Sequence, residues 1–203
     1  MWKTFCLSLL VAGLFSCQEG KRYQSFKPGE IWLDNTEVHI NAHGGGILYD
    51  GGRYYWFGEH KTEGEAGNRA NVGVHCYSSD DLYNWIDEGI ALTVEPEGSG
   101  SPIEKGCILD RPKVIHNAKT GKYVMWFHAD TADYILGAAG CAVADHPEGP
   151  YEFLYWTHPN RRDCRDINVY KDPVTGKAYV IHSGDWNHTL YFSELNDEYT
   201  GFT

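Results

Sequence analysis

The chain is predicted to be all-β, part of a β-propeller, on three observations. A two-run unit occurs three times, as GILYDGGRYYWFGE at 46–59, KVIHNAKTGKYVMWFHAD at 113–130 and INVYKDPVTGKAYVIHSGD at 167–185. Each copy is an apolar run, a Gly-bearing turn and a second run of aromatic and β-branched residues. Gly supplies the positive φ that tight hairpin turns need, so each copy reads as a β-hairpin. Each hairpin is followed by a further strand-like run with a polar turn, VGVHCYSSDDLYNW (72–85), GCAVADHPEGPYEF (140–153) and TLYFSELNDEYTGF (189–202). The unit is therefore a four-stranded meander of about 45–65 residues, the period of a propeller blade. Helical periodicity, finally, is nowhere sustained. Three blades are too few to close a ring, so the sequence is expected to be part of a longer protein.

Taken in order, the N-terminus reads as a targeting segment. Lys3 gives a positive start, and Phe5 to Phe15 an apolar run too short to span a bilayer comfortably. Leu14-Phe15-Ser16-Cys17 resembles a bacterial lipobox, in which the Cys is lipidated and becomes the first mature residue. Residues 1–17 are expected to be a lipoprotein signal peptide, with Cys17 lipidated, and 18–29 a polar tether. That implies export and a lipid anchor on a bacterial membrane surface, the outer membrane by preference, facing periplasm or exterior. An ordinary secretory signal is the alternative. Residues 30–203 carry blades one to three, and TVEPEGSGSPIEKG (93–106) reads as the loop joining the first two.

Composition narrows the function. The net charge of −11 excludes a nucleic-acid partner and fits a neutral glycan better than an acidic one. Aromatic content of 14 % suits sugar stacking, although packing alone also draws aromatics into strands. Cys76, Cys107, Cys141 and Cys164 remain after the signal, and they read either as disulfide partners or as small buried hydrophobes. No Cys/His ligand spacing supports a metal, and no cofactor is expected.

Four polar clusters lie where hairpin strands begin or end. In Asn41-Ala42-His43-Gly44-Gly45-Gly46, three glycines let the backbone pass close to another blade or a ligand, with His43 at the turn. In Phe57-Gly58-Glu59-His60-Lys61, Glu59 is either half of a surface ion pair or an acceptor for sugar hydroxyls. Asp110-Arg111-Pro112-Lys113 sets a carboxylate beside a cation where a strand opens at Pro112, and Cys164-Arg165-Asp166-Ile167-Asn168 repeats the Arg and Asp pairing one blade later. Asp110 and Asp166 are thus candidate catalytic carboxylates converging on one axis. Glycoside hydrolysis uses such a pair, about 6.5–9.5 Å apart when the reaction inverts and about 5–5.5 Å when it retains. His128 and Trp186 are further candidate sugar contacts.

Asp34, AHGGGILYDGGRYYWFGEHK, VHCYSSDDLYNW, DRPKVIHNAKTGKYVMWFHAD, ADHPEGPY and CRD, in that order, resemble glycoside hydrolase family 43 over residues 30–203. Within it the sequence is similar to the branch that includes exo-β-1,3-galactanases. The resemblance implies a five-bladed propeller, hydrolysis with inversion, an oligo- or polysaccharide substrate and a monomer at full length. It implies that Asp110 tunes the pKa of the catalytic acid, a role often given to Glu in that branch. Glu59 and Asp166 match acidic residues that bind the terminal sugar, and Tyr134 matches a pocket tyrosine. His43 stands near where many members carry a catalytic-base Asp. The general-acid Glu of an R-E-A-P-like stretch, and the amide that serves as base in this branch, have no match before Thr203. Some members hold a cation on the propeller axis; no acidic loop argues for one here. Other readings stay open: a non-catalytic surface glycan-binding lipoprotein, an adhesion propeller, or an α-L-arabinofuranosidase or β-xylosidase of the same family.

Overall fold

The computed structural model describes residues 23–203, so the signal segment and Cys17 lie outside the described residues. Eleven strands form three antiparallel meanders. Blade one is β1 (His43–Asp50), β2 (Arg53–Lys61), β3 (Asn71–Ser79) and β4 (Ile86–Thr93). Blade two is β5 (Ile108–Asn117), β6 (Lys122–Asp130), β7 (Ala138–Ala144) and β8 (Glu152–Thr157). Blade three has β9 (Ile167–Lys171), β10 (Ala178–Gly184) and β11 (Thr189–Glu194), with a single further bridge between Leu195 and Phe202. Two 3-10 turns, Gly67–Ala70 and Pro159–Arg161, are the helical elements among the described residues.

The hairpins form where the glycines predict. Gly51 and Gly52 both take positive φ, 58° and 88°, matching the right-handed twist of the strands they join. The strand now called β5 starts earlier than expected. It opens at Ile108, with Pro112 inside it, because the register jumps from Asp110 to Lys113. That bulge takes Pro112 out of the ladder, where its missing N–H would otherwise break a bond.

The blades stack face to face through two apolar seams. Phe57, Val74 and Cys76 of blade one meet Met125 and Phe127 of blade two. Ile115, Val124, Trp126 and Cys141 of blade two meet Val180 of blade three and the free Cys164. Each large side chain so buried stabilises the stack by about 1.5–3 kcal/mol. The four cysteines among the described residues are buried and free, so they act as small hydrophobes and not as disulfides. The 93–106 stretch does join blades one and two as a loop, held by a bridge between Glu95 and Glu104. From Tyr23 on, the stretch read as a tether lies on blade one: Tyr23 N donates to Asn84 Oδ1, and Phe26 packs edge-on against Trp32 and Tyr83.

The inner strands β1, β5 and β9 are cross-linked side by side, by Asp50–His116, by Lys113 to Gly44 O, and by Arg111–Asp166. Because neighbouring strands run antiparallel, the starts of these three and the ends of β2, β6 and β10 share one end of the propeller. The four polar clusters gather there.

Candidate functional site

Glu59 is the centre of the site. It lies within β2, near its end, and is only 1 % exposed. Its Oε2 sits 2.5 Å from Lys61 Nζ and 3.1 Å from His43 Nδ1, and its Oε1 accepts the Arg111 N–H at 2.9 Å. It is therefore a buried carboxylate with three donors, not a surface ion pair. Burial alone would raise its pKa, but the bonds from Lys61, Arg111 and His43 outweigh that, and the carboxyl lies below its ordinary value. The glycines beside it make room. A Cβ on Gly44 would fall 2.4 Å from Glu59 Oε1, and one on Gly46 2.5 Å from Lys113 Cδ. Close approach to other side chains, rather than to a ligand, is what these two positions require.

Asp110 faces the opposite electrostatic balance. Lys61 Nζ is 3.9 Å away, and the buried Oδ1 has no hydrogen-bond partner. Burial first, and then the charge of Glu59, push its carboxyl up to about 6. Two carboxylates thus share the Lys61 ammonium with separated affinities for protons, the arrangement that divides acid and base duties in active sites.

The Arg and Asp dipeptides pair across blades rather than within themselves. Arg111 Nε meets Asp166 Oδ1, joining blade two to blade three. Arg165 Nη1 turns to the buried Asp130, at 2.7 Å, and to Tyr134 O at 2.8 Å, while its Nε meets Asp163 Oδ2 at 3.3 Å. Asp166 is left largely exposed on the open side of the site, with its backbone N–H on Ser183 Oγ.

The remaining predicted contacts form the rim and its supports. His128 is buried, opposite Asp110 in the ladder, and its Nε2 lies 2.9 Å from Asp130 Oδ2. Tyr134 takes a left-handed φ of 60°, and its hydroxyl accepts from Asn68 Nδ2, whose Oδ1 in turn accepts from Lys61 Nζ. Trp186 is 67 % exposed, and its ring lies 4.5 Å from the Arg165 guanidinium. Lys61, Asn68, Asp130 and Arg165 were not picked out as site residues in their own right. Aligning the hairpins would have found Asp130, since it ends β6 as Glu59 and Lys61 end β2.

At the inner-strand ends the structure gathers ionised Glu59, protonatable Asp110, the exposed Asp166, Tyr134 and, over Arg165, the exposed indole of Trp186. Carboxylates beside aromatics suit a polyhydroxylated ligand. A β-1,3-galactosidase solved with galactodeoxynojirimycin is 39 % identical, with a TM-score of 0.78, over 86 % of this chain and 64 % of that one. The exo-β-1,3-galactanase of Phanerochaete chrysosporium, solved with galactose, is 37 % identical with a TM-score of 0.80, over 86 % of this chain and 40 % of that one. That of Clostridium thermocellum is 32 % identical with a TM-score of 0.77, over 86 % and 39 %. The chain thus spans less than two thirds of the length of these proteins. No curated protein matches the sequence. The model of the glycosyl hydrolases family 43 matches residues 39–203, a span holding all three blades and every residue of the site, and the chain belongs to that family.

Proposed function

We propose that these three blades hold the terminal sugar in a glycoside hydrolase that releases galactose from β-1,3-linked galactan. The observation that carries the reading is the convergence of Glu59, Asp110 and Asp166, one from each blade, around Arg111 and Lys61. The relatives support the choice of sugar: two are solved with galactose and galactodeoxynojirimycin, and a variant of the Phanerochaete enzyme with β-1,3-galactotriose.

In this reading ionised Glu59 and Asp166 accept hydrogen bonds from sugar hydroxyls, and Trp186 covers an apolar sugar face. Water attacks the anomeric carbon from one side, passing its proton to a base that is not among these three blades, as the glycosidic C–O bond breaks on the other, inverting the centre. The leaving oxygen takes its proton from a carboxylic acid supplied by sequence outside these three blades. Asp110, shifting between charged and neutral near pH 6, sets the proton affinity of that acid. A lipid on Cys17 would hold the enzyme at a membrane surface facing its polysaccharide.

The test is calorimetric titration of β-1,3-galactobiose into the 203-residue chain and into its Asp166→Ala variant. Because the acid is not among these blades, the reading predicts binding without turnover, and Asp166→Ala should abolish it. No binding to the parent chain, or equal binding to both, would end the proposal.

A further inference from the structure

We propose that Lys113 is a positioning residue of this site: its ammonium latches the bulged start of β1 to the bulged start of β5, and so fixes Arg111, whose N–H holds Glu59 and whose guanidinium holds Asp166. What is positioned rests on the galactose reading; the latch itself does not.

Lys113 Nζ donates to three backbone carbonyls, Gly44 O at 2.9 Å, Arg111 O at 3.2 Å and Pro112 O at 3.4 Å. One belongs to blade one and two to blade two. Both strands are irregular at just this point, with register shifts between His43 and Gly46 and between Asp110 and Lys113. Bulges free carbonyls from the ladder, and a single ammonium with three hydrogens can collect them. The lysine stem reaches them because Gly46 has no side chain to block it.

Arg111 shows what the latch holds. Its φ is +55°, a left-handed conformation that is unfavourable for a residue with a Cβ and persists only when its surroundings over-determine it. Every polar part of Arg111 around that angle is engaged. Its N–H donates to Glu59 Oε1 at 2.9 Å, its carbonyl accepts from Lys113 at 3.2 Å, and its guanidinium meets Asp166. Removing the ammonium frees the peptide unit that follows Arg111, next to the one whose N–H holds Glu59.

The placement is costly, which argues for a positional role over simple stabilisation. Burial first, then the charge of Arg111, lower the Lys113 amine to about 8, with Glu59 and Asp166 pulling the other way. A methionine of similar length would fill the same space without desolvating a charge.

The experiment uses the 203-residue chain and its Lys113→Met variant, with amide hydrogen exchange, carboxyl 13C titration and D-galactose binding as readouts. The latch predicts at least tenfold faster exchange of the Arg111 amide with the β6 core amides unchanged, and a rise in the Glu59 titration midpoint. Lys113→Cys alkylated with bromoethylamine, which rebuilds the ammonium, should restore both. Gly46→Ala, which displaces the lysine stem without removing the charge, should reproduce the Arg111 effect and serves if Lys113→Met does not fold. Unchanged Arg111 exchange and an unchanged Glu59 midpoint would overturn the latch, as would a uniform loss of protection across the sheets. If galactose does not bind the parent chain but the Arg111 effect appears, the latch stands and the sugar reading fails. If galactose binds the parent chain, Lys113→Met should weaken it at least tenfold.

Discussion

Lys61 Nζ lies 2.5 Å from Glu59 Oε2 because the two residues are two positions apart on β2 and leave the same face of the strand. The same cation stands 3.9 Å from Asp110 Oδ1. It serves the two carboxylates unequally, and that inequality keeps Glu59 charged while Asp110 remains free to take a proton.

Ionising Asp110 therefore opposes folding. Its pKa of about 6 in the fold lies above the usual 3.8, so the cost is fully present above the higher value and is relieved as pH falls towards the lower one. Asp110→Asn should be more stable than the parent by on the order of 1–3 kcal/mol near neutral pH. By about pH 4 the advantage should vanish. Urea denaturation at the two pH values checks this, and equal differences at both would show that Asp110 ionises as an ordinary carboxyl does.

Removing the cation should be worse than removing the pair. Lys61→Met leaves Glu59 buried with one donor fewer, and breaking a buried pair in this way costs about 3–5 kcal/mol. Glu59→Gln added to Lys61→Met should recover most of the loss. A double-mutant cycle by chemical denaturation measures the coupling, and additive effects would mean the contact carries no energy.

Arg111 and Asp166 are half-exposed and exposed partners, so their ion pair contributes little to stability. Asp166→Ala should change unfolding free energy by less than about 1 kcal/mol yet abolish measurable galactose affinity. Calorimetry on folded variant and parent reads the split; a large stability loss with affinity retained would mark Asp166 as structural.

Gly44 has a φ of +61° and a Glu59 oxygen 2.4 Å from where a Cβ would stand, whereas Gly121 has a φ of +71° and open space. Alanine at Gly121 should cost about 1–2 kcal/mol for backbone strain alone. Alanine at Gly44 should cost more and also disturb Glu59 titration. Melting of both variants, with the Glu59 midpoint, distinguishes crowding from backbone strain.

The blades were legible in the sequence because each hairpin carries its own local signals, the period-two runs and the turn glycines. Glu59, Asp110 and Asp166 were legible because acidic residues at strand ends recur with the repeat. Their partners were not. Arg111 and Arg165 each stand beside an aspartate in sequence, and local reading joins them to it, but Arg111 sits in the β5 bulge with a φ of +55° and Arg165 lies in the segment before β9, so the local strand geometry does not set their partners. Arg111 therefore reaches Asp166 of the next blade, and Arg165 reaches Asp130. Lys113 was hidden for a related reason: its acceptors are backbone carbonyls released by two bulges, which no residue type announces. Pro112 suggests the opening of a strand because a proline inside one is tolerated only where a bulge or edge removes the need for its N–H, and the bulge between Asp110 and Lys113 does so here.

The central claim is that the site around Glu59 receives a terminal galactose. The direct measurement is titration of D-galactose, D-xylose and L-arabinose into the 203-residue chain, following the 13C carboxyl signals of Glu59, Asp110 and Asp166. The account predicts saturable shifts at all three with galactose and weaker ones with the pentoses. Shifts that favour a pentose, or none with any sugar, would contradict it.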